Sequence, residues 1–262
     1  MSDKETSGEE TSGRTDFGFR GVPEGEKASL IRAVFASVAP HYDLMNDLMS
    51  GGIHRWWKDQ MVTWLKPRRG QRLLDVAGGT GDIALRALPH LIPGGKSADG
   101  GVAVCDVSEP MLAIGRARAL DRGILTGIEW LCADAERLPM AERSVDLYTI
   151  GFGLRNVTRI DTALAEARRV LKPGGHFLCL EFTPAVTPLL QPLYDLYSFR
   201  IVPLLGQIVT RDRDAYGYLV ESIRRFPGQS ELAQMIGRAG LGQVKYRNLT
   251  GGVAALHSAW RL

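Results

Sequence analysis

From Arg72 to Thr183 the chain alternates between short apolar runs and amphipathic stretches, and this alternation constrains its fold more than any other feature. RLLDVAG, GVAVCDVS, IEWLCADA, VDLYTIGF and HFLCLEFT read as strands; GDIALRALPHL, EPMLAIGRARALDRG and RIDTALAEARRVL read as helices between them. Strands and helices in that order call for an α/β architecture, a parallel sheet with helices on both faces. Such sheets bind ligands at the carboxyl ends of their strands. Before this stretch the pattern is helical. Leu30, Ile31, Val34, Phe35 and Val38 share one face until Pro40, a short helix is expected over 43–49, and RWWKDQMVTWL (55–65) is amphipathic until Lys66-Pro67. After Pro184 comes an apolar segment rich in Pro and Tyr, then SELAQMIGRAG as a helix. VKYRNLTGGVAALHSAWRL closes the chain as a hairpin through Gly251-Gly252.

A chain of 262 residues fits one large α/β domain, although length alone does not exclude two small ones. The expected division is a disordered acidic tail over 1–26 and a single domain over 27–262. Within that domain, 27–66 form a helical extension, 70–183 a ligand-binding core and 184–230 a lid or substrate segment. Residues 1–26 hold seven acids against three bases, a net of −4; since the whole chain carries +3, the rest carries +7. That surplus suits anionic membrane surfaces or acidic ligands, and equally an ordinary solvated surface. The start has neither the apolar stretch of a signal peptide nor the basic composition of a transit peptide. The longest apolar candidate, 189–209, is interrupted by Asp195, Arg200 and prolines, too often for a bilayer span. Cys105, Cys132 and Cys179 each sit in an apolar run with no CxxC, so they read as core residues. The five histidines lack metal-ligand spacing, and no metal is expected.

Three features carry ligand chemistry. DVAGGTGD (75–82) lies at a strand-to-helix junction, where glycines admit a ligand close to the backbone; a tight turn made for packing is the alternative. It lacks the Lys-Ser/Thr of a phosphate loop and the spacing of GxGxxG. Asp106, at the end of the next strand, can accept hydrogen bonds from both ribose hydroxyls. Asp134, at the end of the one after, can take the exocyclic amine of adenine while the Ala135 amide meets a ring nitrogen. Either Asp alone could be a helix cap. Together they describe an adenosine moiety without a phosphate cradle.

This set resembles the class I S-adenosylmethionine-dependent methyltransferases over about residues 70–185, with Ala77 where the first glycine of that motif commonly stands. YDLMNDLMSGGIHRWW (42–57) resembles the Y-D-x-M-N-x-x-[apolar]-S-x-x-x-H-x-x-W signature of the ubiquinone/menaquinone C-methyltransferase family. RVLKPGGHFLCLEFT (169–183) is similar to its second signature, with Thr183 where serine is usual. GFGLRNV (151–157) is similar to its S-F-G-[LI]-R-N loop, with Gly151 where serine often contacts the cofactor. YSFRIVPLLG, YLVESIRRFPGQ and NLTGGVAALH are similar to later blocks, so the likeness runs from about Val34 to the C-terminus.

The resemblance implies a Rossmann-like, mostly parallel seven-stranded sheet with a C-terminal antiparallel hairpin. It implies S-adenosylmethionine as cofactor, held by Asp75, Ala77, Gly79, Thr80, Gly81, Asp106, Asp134, Ala135 and Gly151. It implies C-methylation of a polyprenyl hydroquinone ring, in ubiquinone or menaquinone biosynthesis. Gly151 and Gly153 are expected to let the cofactor pass, and Arg155-Asn156 to face the acceptor, where a guanidinium steadies the phenolate that forms. Arginine stays protonated, so the base is sought among a water on Arg155, Tyr42, His54 and Asp82. The partners implied are a polyprenyl quinol, a membrane surface met from the cytoplasmic inner face, and a quinone-biosynthesis complex or a second copy of the chain. The other readings are a methyltransferase for a different lipophilic phenol or sterol-like acceptor, and a non-catalytic S-adenosylmethionine-binding subunit. No basic-aromatic stripe for nucleic acid is visible.

Overall fold

The computed structural model describes residues 13–39, 46–47, 50–93, 100–184 and 213–262. The described chain begins with a hairpin, β1 (Arg14–Phe17) and β2 (Arg20–Pro23), paired antiparallel across a Gly18-Phe19 turn. Helix α1 (Glu24–Val38) follows directly. Residues 14–26, expected to be disordered, are therefore structured. Acidic composition argues for disorder only when apolar side chains find no cover. Here Phe17 is buried and stacks on Tyr218 with ring centroids 4.3 Å apart. The short helix expected over 43–49 lies mostly outside the described residues.

Helix α2 (Ile53–Leu65) buries Trp57, Met61 and Leu65, spaced four apart on one face. Then the alternation appears as expected: β3 (Arg72–Val76), α3 (Asp82–Leu91), β4 (Gly101–Asp106), α4 (Glu109–Asp121), β5 (Ile128–Cys132) and β6 (Val145–Gly151). They are followed by α5 (Ile160–Val170), β7 (Leu171–Phe182), α6 (Arg213–Arg225), α7 (Gln229–Arg238), β8 (Gly242–Leu249) and β9 (Ala254–Trp260). β3 to β9 form one sheet in the order β5-β4-β3-β6-β7-β9-β8. β3 to β7 pair in parallel, and β9 inserts antiparallel between β7 and β8. Lys172 to Gly175 make a register shift within β7 rather than a separate turn.

The strand period of two sorts the core into two layers. Leu73, Val102, Val104, Leu147, Leu178 and Leu180 face α2 and α3, while Leu74, Ala103, Cys105, Tyr148, Phe177 and Cys179 face α5 and α7. Strands apolar on both faces are what a doubly covered parallel sheet requires. One packing expectation needs correction. Cys132 ends the edge strand β5 and is exposed, unlike buried Cys105 and Cys179. Trp56 lies on the outer face of α2 and is exposed, while its neighbour Trp57 is core. No helix among the described residues is long and apolar enough to cross a membrane.

Candidate active site

The loops after β3, β4, β5 and β6 enclose a cleft of about 1000 Å³ that is open to solvent. Ala77, Gly79, Thr80, Asp82, Asp106, Asp134, Ala135, Gly151 and Asn156 line it, so nine of the fourteen candidate residues converge there. Asp75, Gly81, His54 and Arg155 do not line it, and Tyr42 lies outside the described residues.

The loop after β3 is shaped by backbone in the left-handed region: Ala77 at φ 49° and Gly79 at φ 54°. Ala77, standing in a position that favours glycine, carries roughly 1 kcal/mol of steric strain. Asp75, just ahead of it, is fully buried beneath the loop. Its Oδ1 accepts a hydrogen bond from the Thr149 hydroxyl at 2.7 Å, and its Oδ2 has no partner. Burial pushes its carboxyl up to about 7. Asp75 thus supports the loop from below rather than lining the cleft. Gly81 caps α3, and a Cβ there would stand 2.7 Å from the Trp130 ring.

Asp106 accepts the Gly79 amide on Oδ2 at 2.9 Å and the Ser108 amide on Oδ1 at 2.8 Å. It therefore ties two of the loops together. Burial pushes its carboxyl up against the pull of these amides. A carboxylate has about four lone-pair positions, so two remain for hydroxyl donors. Asp134 Oδ1 accepts the Glu136 amide at 2.9 Å, the local cap that a lone Asp predicts, while the residue also lines the cleft. Asp82 opens α3, with Lys58 Nζ 2.8 Å from Oδ2 and Arg86 Nε 3.0 Å from Oδ1. Burial alone would raise its carboxyl, but these two cations hold it down to about 2.

The loop after β6 shows a packing role for its glycines. A Cβ on Gly151 would come 2.4 Å from Ile83 Cδ1, and one on Gly153 would come 2.3 Å from Ala77 Cβ. Both approaches are to the protein itself, so the glycines also let this loop pack on α3 and on the loop after β3, and both of them line the cleft. Phe152 between them takes φ 57° and packs on Phe182 at 4.7 Å. The two residues after the glycines part company. Asn156 lines the cleft and accepts a hydrogen bond from the Tyr218 hydroxyl at 3.0 Å. Arg155 turns away and is buried: its Nη1 donates to Phe152 O at 2.5 Å and to Glu181 Oε1 at 2.7 Å, and its Nε has no partner. It lines an adjoining pocket with Tyr218 and Lys27.

His54 lies on α2 away from the cleft, with Nδ1 2.8 Å from the Ser50 hydroxyl. Burial lowers it to about 4, so it is neutral at ordinary pH. Four residues that sequence reasoning did not select matter here. Lys58 lines the cleft. Lys27 donates to Val157 O at 3.0 Å; Glu136 accepts the Thr158 and Arg159 amides at 3.0 and 2.9 Å; Glu181 pairs with Arg155. Only Glu181, a carboxylate inside an apolar strand, carried a sequence signal.

The donor set fits a cationic nucleoside better than a phosphorylated one. Asp106 and Asp134 line the cleft without a cation paired to either among the described residues, and carboxylates so placed repel phosphate, while Asp82 is balanced by Lys58 and Arg86. The sheet order and the convergence of these strand-end loops define the class: a methyltransferase of the Rossmann-like class I fold, with S-adenosylmethionine as cofactor. The chain belongs to the ubiE/COQ5 methyltransferase family, whose model matches residues 23–261.

Over 254 residues it is 56% identical to the ubiquinone/menaquinone biosynthesis C-methyltransferase UbiE of Cereibacter sphaeroides, covering 97% of this chain and 99% of that one. It is 57% identical over 248 residues to the protein of that name from Paracoccus denitrificans, covering 95% and 97%. In fold it is similar to a SAM-dependent methyltransferase from Aquifex aeolicus (TM-score 0.56, 15% identity, 78% of this chain and 89% of that one). It is also similar to one from Thermotoga maritima (TM-score 0.59, 18% identity, 88% and 99%).

Proposed function

We propose that the protein methylates a ring carbon of a polyprenyl hydroquinone, taking 2-methoxy-6-polyprenyl-1,4-benzoquinol in ubiquinone biosynthesis, demethylmenaquinol in menaquinone biosynthesis, or both. The observation that carries this reading is identity above one half with the C-methyltransferases named for those pathways, over nearly the whole of both chains. When bound, S-adenosylmethionine supplies an electrophilic methyl group on a sulfonium sulfur. The protein's part is to hold that group and the ring carbon in line, and to favour the phenolate that makes the carbon nucleophilic.

Asp106 takes the ribose hydroxyls, and Asp134 with Ala135 takes the adenine edge. Asn156, its Oδ1 occupied by Tyr218, keeps its amide N–H groups for the acceptor's phenolic oxygen. Arg155 stands behind it as a buried cation, and its bonds to Phe152 O and Glu181 hold the loop that presents Asn156. The ring proton leaves to water. Asp82, at about 2, is too weak a base, and His54 does not line the cleft. Residues 184–210, nearly all outside the described residues, are by their apolar sequence the candidate segment for the prenyl tail, and the +7 body would meet an anionic bilayer surface electrostatically.

The test uses methyl-labelled S-adenosylmethionine and each reduced quinol presented in anionic vesicles. Label on a ring carbon supports the reaction, and the preferred quinol identifies the pathway. Donor binding with neither quinol methylated would overturn the acceptor. Protein that stays in the supernatant when the vesicles are sedimented would overturn the membrane contact.

A further inference from the structure

Lys58 is the one lysine of the cleft lining, and it is buried to 7% exposure on a helix outside the cofactor-binding core. Burying an ammonium is costly unless it is paired. The pairing here is with Asp82, at 2.8 Å, and Asp82 is shared with Arg86, which also pairs with Asp59. The two cations and two carboxylates balance, so the cluster presents opposite charges side by side without a net charge.

Its place along the cleft is fixed by the sheet. Asp134 follows β5, Asp106 follows β4, the glycine loop follows β3 and Gly151 follows β6, in adjacent strand positions. Three inter-strand spacings make about 14 Å, the reach of an extended nucleoside carrying an amino-acid tail. With adenosine held over β5 and β4, the tail ends over β3 and β6. Ile83 closes on Gly151 there, so Asp82 and the Lys58 paired with it stand at that end.

We propose that Lys58 and Asp82 form the subsite for the amino-acid end of the methyl donor: Lys58 binds the α-carboxylate and Asp82 the α-ammonium. This rests on S-adenosylmethionine being the ligand of the cleft. Lysine has three N–H donors and gives one to Asp82, leaving two. A zwitterion docked on the pair preserves the charge balance of the cluster, whereas a lone anion or cation would upset it. Lys58 is therefore a binding residue contributed by the N-terminal extension.

The experiment is calorimetric titration of the wild type, Lys58→Met and Asp82→Asn with two ligands. S-adenosylhomocysteine carries the zwitterionic tail; 5′-methylthioadenosine keeps the adenosine and sulfur and lacks the tail. Each variant should bind S-adenosylhomocysteine about tenfold to hundredfold more weakly, the range for a lost hydrogen bond to a charged group. Binding of 5′-methylthioadenosine should stay within about threefold of wild type, which also shows that the variants are folded. Unchanged S-adenosylhomocysteine binding would overturn the subsite, as would equal losses for both ligands. A wild type that binds neither would overturn the donor itself.

Discussion

The buried pair between Arg155 and Glu181 gives the sharpest test of how the loop after β6 works. Both side chains are almost fully enclosed, at 6% and 1% exposure, with nitrogen and oxygen 2.7 Å apart. Glu181 also accepts the Phe182 amide at 3.0 Å. Replacing it with Gln keeps an acceptor for that amide while leaving the guanidinium uncompensated. Breaking a buried pair from one side costs about 3–5 kcal/mol. Arg155→Met should cost less near neutral pH. Burial raises the Glu181 carboxyl against the pull of Arg155, and without the arginine it takes up a proton and becomes neutral. Combining the two substitutions removes both charges, so the double variant should recover most of the loss. The assay is urea denaturation of the four proteins at pH 6 and pH 8, with methyl transfer to the quinol measured beside it. Stability should recover in the double variant and turnover should not, because Arg155 is absent from it. Losses that simply add would refute the electrostatic coupling. Full turnover in the double variant would refute a role for Arg155 in the chemistry.

Three further outcomes follow from strain stored under the glycine loop. Asp75 has its folded carboxyl raised from 3.8 to about 7, so it stabilises the fold least when ionised: stability is greatest below about pH 4 and falls as pH rises through 7. Asp75→Asn removes that fall, and its stability relative to wild type should improve by roughly 3 kcal/mol between pH 5 and pH 8; parallel pH profiles in thermal unfolding would refute the assignment. Ala77→Gly relieves the left-handed strain and should raise stability by up to about 1 kcal/mol, part of it offset by a more flexible unfolded chain. Gly153→Ala should be destabilising alone and substantially rescued by Ala77→Gly, and absence of rescue in denaturant titrations would show that the Ala77 contact is not the cause.

The sheet and the three strand-end carboxylates were legible because each is signalled locally. Short apolar runs alternating with amphipathic stretches name β3 to β7, and an Asp at the end of an apolar run names its own position at the sheet's carboxyl edge. What was not legible depends on residues distant in sequence. The hairpin over Arg14–Pro23 exists because Phe17 stacks on Tyr218, about two hundred positions away, and no local composition reports that cover. Gly151 and Gly153 read as room for a cofactor and do line the cleft, but their close packing on Ile83 and Ala77, from other segments of the chain, was not legible locally. His54 and Lys58 are one helical turn apart on α2 and both are buried. Sequence singled out the histidine for its chemistry, but the longer lysine is the one that reaches the cleft. Arg155 was expected to face the acceptor because the partner that turns it away, Glu181, sits on the neighbouring strand.

The loop over Gly151–Thr158 also accounts for why the family match extends far past the cofactor-binding core. Four anchors hold it, and each comes from a different part of the chain. Lys27 of α1 takes Val157 O, Glu136 after β5 takes the Thr158 amide, Glu181 of β7 takes Arg155, and Tyr218 of α6 takes Asn156. Tyr218 is in turn backed by Phe17 of the N-terminal hairpin, and Glu221 on the same helix accepts the Phe19 amide at 2.9 Å. The core of residues 70–183 alone would keep Arg155 on Glu181 but leave Asn156 without Tyr218 and free to change rotamer. A reaction that needs a methyl group, a ring carbon and a phenolic oxygen aligned together gains from fixing Asn156 as well. The N-terminal extension and the helix after residues 185–212 do that. They belong to the active site through this loop, and a chain reduced to residues 70–183 would keep the strand-end carboxylates while losing the Lys27 and Tyr218 anchors of the residues proposed to act on the acceptor.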